Sequence, residues 1–90
     1  MKLTRKPEAI EQDITDNNRI GANLYKIRYL AFLSQGAFAE RVQLAGLDID
    51  RATISLIEHG KRKLLAYEMP YFAKALNLTM ADFVEKLFAK

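Results

Sequence analysis

The stretch Asp50-Arg51-Ala52-Thr53-Ile54-Ser55-Leu56-Ile57-Glu58-His59-Gly60-Lys61-Arg62-Lys63 reads as one short helix with its start, its stop and a basic tail all marked. Asp50 suits the N-cap, where a carboxylate accepts from backbone N–H groups that the first turn leaves unpaired. Gly60 suits the left-handed position just past a helix end, and the cations after it sit where the helix dipole is negative. On a helical projection Ile54 and Ile57 fall together, flanked by Thr53 and Glu58, and form the packing side. Arg51, Ala52, Ser55 and His59 fall opposite, with Leu56 at the edge. That second face is slim. A slim face flanked by basic residues can enter a DNA major groove, which is wide enough for one helix. An ordinary surface helix with a small outer face accounts for the same pattern at least as well, so the rest of the chain must decide.

The chain has 90 residues, enough for one domain with a modest core. Half of it is hydrophobic, and it has neither cysteine nor tryptophan, so no disulfide or cysteine metal site can staple the fold. The lack of cysteine fits a reducing cytoplasm. Lys+Arg 14 against Asp+Glu 11 leaves a net charge of +3, compatible with a nucleic-acid partner without requiring one. The basic start (Lys2, Arg5, Lys6) is followed by Pro7-Glu8 and further acids, not by the apolar run of an export signal. The apolar stretches fall far short of the ~20 residues that span a bilayer. A soluble domain, without repeats or low-complexity tracts, is the expectation.

Residues 1–17 are expected to form an arm or a short helix, since Ile10 and Ile14 are spaced by four. Asp16-Asn17-Asn18 then offers N-caps for a strong helix with Ile20, Leu24, Ile27, Arg28 and Ala31 on one stripe. Arg28 interrupts that apolar stripe. If buried, it needs a carboxylate, because an unpaired buried charge is very costly. Ser34 caps the next helix, whose apolar side is Phe38, Ala39 and Val42, and Gln35 at its start can reach a phosphate. Gly46 stops it, and Leu44, Leu47 and Ile49 are expected to anchor the connection in the core. Beyond Lys63, the spacing of Leu65, Met69, Phe72, Ala73 and Leu76 marks a fourth helix, with Pro70 in its first turn. Thr79 caps a last helix carrying Phe83, Val84 and Leu87. Helices without any strand signal predict a compact all-α, five-helix domain.

The order Ile20-Gly21-Ala22-Asn23-Leu24…Arg28, Leu33-Ser34-Gln35…Phe38-Ala39, Thr53-Ile54-Ser55…Ile57-Glu58…Gly60-Lys61-Arg62 and Ala73…Leu76-Asn77-Leu78 resembles the Cro/repressor-type (XRE-like) helix-turn-helix transcription regulators of phages and bacteria. The likeness covers residues 20–87, and implies a helix-turn-helix DNA-binding domain of the lambda-repressor-like type over residues 18–90. By resemblance, Gln35 contacts backbone phosphate, Arg51, Ala52, Ser55 and Leu56 read bases, and Lys61, Arg62 and Lys63 lie along phosphate. Arg28 is implied to pair with Glu58 as a structural tie between the first helix and the recognition helix 50–59. The segment 43–49 is longer than the 3–4-residue connection usual in a helix-turn-helix. The base-reading positions are poor in hydrogen bonders: Arg51 can fork onto guanine, while Ala52 and Leu56 can only touch a thymine methyl.

The implied function is sequence-specific binding of double-stranded DNA by a small repressor in a bacterial or phage-infected cytoplasm. A homodimer through the last helix, around Phe83, Leu87 and Phe88, is expected, with core packing as the equal alternative for those residues. Leu56, Leu64 and Leu65 keep open a second class: an antitoxin or adaptor whose main ligand is a protein. Catalysis is not expected. His59 is the only histidine, no glycine-rich phosphate loop is present, the acids lack metal-like spacing, and no cofactor or metal is implied.

Overall fold

The computed structural model describes the backbone of residues 5–90 and the side chains of residues 16–90. Five α-helices follow in order: α1 (Arg5–Leu30), α2 (Gln35–Ala45), α3 (Arg51–Glu58), α4 (Met69–Ala75) and α5 (Met80–Leu87), with a 3-10 turn at Ala66–Glu68 leading into α4. The described residues contain no strand, and none of their helices is long and apolar enough to cross a membrane. Lys2 lies outside the described residues, as do the side chains of Arg5 and Lys6.

Three of the helix starts follow from side-chain oxygens. Ser34 Oγ accepts from the Ala37 N–H at 3.0 Å, Asp50 Oδ1 from the Thr53 N–H at 2.9 Å, and Thr79 Oγ1 from the Asp82 N–H at 3.1 Å. Gly46 ends α2 with φ 121° and Gly60 follows α3 with φ 74°, a region that side chains with a Cβ rarely enter. The expected cap at 16–18 is different. Helix α1 runs straight through it, and Asp16 instead pairs one turn on with Arg19 at 3.0 Å. Within a continuous helix a short acid serves as an i,i+3 partner as readily as a cap. The boundary between residues 17 and 18 is therefore no break in the backbone.

The core takes one stripe from each helix: Leu24, then Phe38, Ala39 and Val42, then Ile54 and Ile57, then Phe72 and Ala73, then Phe83 and Leu87. The Phe38 and Phe72 rings meet edge to face at 5.4 Å, joining α2 to α4. Helix α1 crosses both α3 and α5. Ile49 is buried and Leu47 packs partly against the core, as the connection after α2 requires. Leu44 does not anchor it: the side chain is 87% exposed, at the edge of a surface groove shared with Lys74 and Ala75 of α4.

At residue 21 the α1–α3 crossing leaves no room for a side chain. A Cβ there would run into the carbonyl oxygens of Ile57 and Glu58, the latter at 2.6 Å. Gly21 thus lets α3 lie against the α1 backbone itself.

Candidate nucleic-acid interface

Helix α3 is held from beneath and bare on top. Ile54 and Ile57 are fully buried, and the Glu58 carboxylate beside them is almost so. Arg51 and Ala52 are exposed, Ser55 is half-buried, and Leu56 is 46% exposed on the outer face. The N-cap Asp50 is held below the usual carboxylate range, first by the Thr53 backbone N–H and then by the Thr53 hydroxyl. At the other end, His59 Nδ1 lies 2.7 Å from the Ser55 carbonyl oxygen and 3.4 Å from Ser55 Oγ. The carbonyl contact assigns the ring proton to Nδ1 and uses this histidine as a helix-end cap.

Arg28 finds the carboxylate its burial demands. Its Nε donates to Glu58 Oε2 at 2.6 Å and its Nη2 to Oε1 at 3.0 Å, a fork on both oxygens, while Nη1 donates to the Leu33 carbonyl at 2.8 Å. The guanidinium also lies over the Tyr25 ring, 5.2 Å from its centroid. One guanidinium therefore ties α1 to α3 and to the turn that starts α2.

Gln35 is half-buried and turned toward α3. Its Nε2 donates to Glu58 Oε1 at 3.0 Å, so the side chain completes the carboxylate's shell and keeps one N–H for an outside acceptor. The reason is proximity: the start of α2 lies beside α3. The Arg51 stem passes Gly36 there, with Cδ 3.8 Å from where a Gly36 Cβ would stand.

Of the three basic residues after Gly60, one is not free. Arg62 Nη1 and Nη2 donate to Glu68 Oε1 and Oε2 at 2.8 and 2.9 Å, and Nη1 also donates to the Lys63 carbonyl. The Glu68 side chain is 2% exposed and also accepts from the Leu65 N–H. Arg62 therefore serves as the counter-ion of a buried acid in the 3-10 turn, and its charge is already matched. Lys61 and Lys63 remain exposed, and among the described residues no carboxylate pairs with them or with Arg51.

The Glu68 carboxyl is held below the ordinary glutamate range, chiefly by the hydrogen bonds from Arg62, while burial works the other way. A pKa lower in the folded than in the unfolded chain adds stability above the unfolded value, about 4.3, and that stability is lost as pH falls through the folded value. Glu68→Gln should therefore flatten the acid limb of a stability–pH curve. Chemical denaturation at pH 7 and at pH 3 should show a smaller drop for the variant than for the parent. An equal drop would exclude Glu68 as a source of acid lability.

The expected dimer residues separate. Phe83 and Leu87 are 0% and 1% exposed, so both belong to the protomer's own core and offer nothing to a partner. Only Phe88, 46% exposed just past α5, could. No family model matches the sequence, and no curated protein is significantly similar to it.

Proposed function

We propose that the chain is a sequence-specific DNA-binding regulator of transcription, a small repressor of the lambda-repressor-like helix-turn-helix type, acting on double-stranded DNA in the cytoplasm. The observation that carries this reading is α3 itself: a short helix locked from below by Ile54, Ile57 and Glu58, with a slim exposed outer face and two unpaired lysines beyond its end. In the major groove Arg51 forks onto guanine, a contact worth about 1–3 kcal/mol of discrimination. Ala52 and Leu56 touch thymine methyls, and Ser55 supplies a weak polar contact. Lys61, Lys63 and the unpaired N–H groups at the start of α2 follow phosphate, with the spare N–H of Gln35 beside them. Arg62 stays with Glu68 and positions the loop. In this reading His59 serves as a helix-end cap and not as a base. Two copies, meeting near Phe88, would address half-sites about 34 Å apart.

Salt dependence tests the assignment residue by residue. Each phosphate neutralised contributes about −0.9 to the log–log slope of affinity against salt, so Lys61 and Lys63 together account for about −1.8 per protomer. The double variant Lys61→Ala, Lys63→Ala should lose that much slope on DNA selected from a random pool. Arg62→Ala should leave the slope nearly unchanged and lower stability instead. Binding that ignores salt and the double variant removes DNA as the main ligand. The reading as a protein-binding module, an antitoxin or adaptor, then gains. It is favoured by the exposed Leu56 on the outer face and Leu65 past the basic loop, 46% and 40% accessible. Failure to enrich any sequence from the pool would support it.

A further inference from the structure

Away from α3, a cavity of about 400 Å³ opens between the C-terminal half of α1, the turn joining α4 to α5, and the end of α5. Its floor is apolar, formed by Ile27, Leu30, Leu76 and Leu78. Lys26 and Lys86 stand on its rim, and no acidic side chain lines it. Lys90 also lines it, and the two cations carried on helices are Lys26 and Lys86. Among the described residues neither lysine pairs with a carboxylate. The walls are fixed in advance: Asn23 Nδ2 donates to the carbonyls of Leu87 and Ala89 at 2.7 and 2.8 Å, clamping the end of α5 against α1. Lys86 also complements the negative end of α5, but that role requires neither a shared apolar floor nor the absence of acids around it.

We propose that this cavity binds a small amphipathic organic anion, its apolar body on Ile27, Leu30, Leu76 and Leu78 and its carboxylate or sulfonate between Lys26 and Lys86. The volume lies in the range of small-molecule pockets, and an apolar surface with a few convergent charges is their usual chemistry. A pit of this size suits a fatty or aromatic acid better than a helix, which needs a long groove. The exposed aliphatic surface of Leu30, 67% accessible in the free protein, is covered by such a ligand.

Calorimetric titration of the full chain with decanoate, and with decanol as its uncharged counterpart, tests this. Decanoate should bind saturably at one site per chain, raise the thermal midpoint, and weaken as salt rises, whereas decanol should bind less and ignore salt. Lys26→Glu with Lys86→Glu, both at exposed positions, should lower decanoate affinity by roughly tenfold or more without changing the decanol response. Ala31→Phe, which fills the cavity from its exposed edge, should abolish both. No saturable binding up to millimolar decanoate overturns the proposal. So does equal binding of acid and alcohol with the lysine variant unaffected. A dimer that decanoate splits, with protection of Leu30 and Ala31 in the dimer alone, makes a second copy the occupant and equally overturns it. None of these outcomes depends on whether α3 binds DNA.

Discussion

Glu58→Ala should destabilise the domain by roughly 3–5 kcal/mol, the cost of leaving one member of a buried ion pair without its partner. In the native protein that carboxylate accepts from Arg28 Nε, Arg28 Nη2 and Gln35 Nε2, and its side chain is 3% exposed. Without it, Arg28 keeps only the Leu33 carbonyl and the Tyr25 ring. Small domains are stable by about 5–15 kcal/mol in total, so the variant spends a large part of the margin. For a chain of this size each kcal/mol moves the thermal midpoint by about 4–8 °C, so calorimetry reads the effect easily. The double variant Arg28→Leu, Glu58→Leu removes both charges and should recover most of the loss, since well-packed apolar residues replace a buried pair at little cost. A loss below about 1 kcal/mol for Glu58→Ala, the scale of a surface pair, would contradict the burial.

Gly21→Ala should be the next most damaging single change, at about 3 kcal/mol, the upper end of overpacking costs. Its interest lies in its direction. Within a helix, alanine is preferred over glycine by up to about 1 kcal/mol, so helix propensity alone forecasts stabilisation. The crossing forecasts the reverse, because the added Cβ meets backbone carbonyls of Ile57 and Glu58, which cannot rotate away as a flexible side chain would. Relief requires α3 to lift from α1, and that also loosens the Arg28–Glu58 fork. DNA affinity should therefore fall by more than the unfolded fraction explains. Denaturant midpoints for Gly21→Ala beside Ala22→Gly, at an exposed neighbouring position, give the comparison. A neutral or stabilising Gly21→Ala would disprove the close approach.

How much of this was legible in the sequence depends on how local each device is. The caps at Ser34, Asp50 and Thr79 were readable because an oxygen-bearing residue before an apolar periodicity has one obvious use. The packing side of α3 was readable for the same reason: Ile54, Ile57 and Glu58 are the buried positions that the projection selects. Arg28 declared itself by standing on an apolar stripe, although its partner came from the resemblance and not from spacing. Glu68 carried the same signal unnoticed. It stands one turn before Phe72, within the apolar run from Leu65 to Leu76, and so called for a cation. Which cation could not be read, since Arg62 reaches it only because Leu65 and the 3-10 turn fold the chain back. The bond from Gln35 to Glu58 is not legible locally, because it depends on where α3 ends in space. Phe83, Leu87 and Phe88 could not be sorted into core and surface without the position of α1. Gly21 carries no local signal of its own, and only the crossing shows it as a contact.

The carboxylate shared by Arg28 and Gln35 has a consequence for how the protein opens. Binding segments are commonly drawn from the least stable parts of a fold, which detach and re-form while the core stays shut. Helix α3 cannot do this cheaply, because its departure strands a guanidinium on α1 and an amide on α2 in the same event. The first three helices are thereby coupled through one carboxylate, so that opening α3 also disturbs α1 and α2. A surface presented in this way is pre-organised, and a ligand meeting it gains little from ordering it and loses little in doing so.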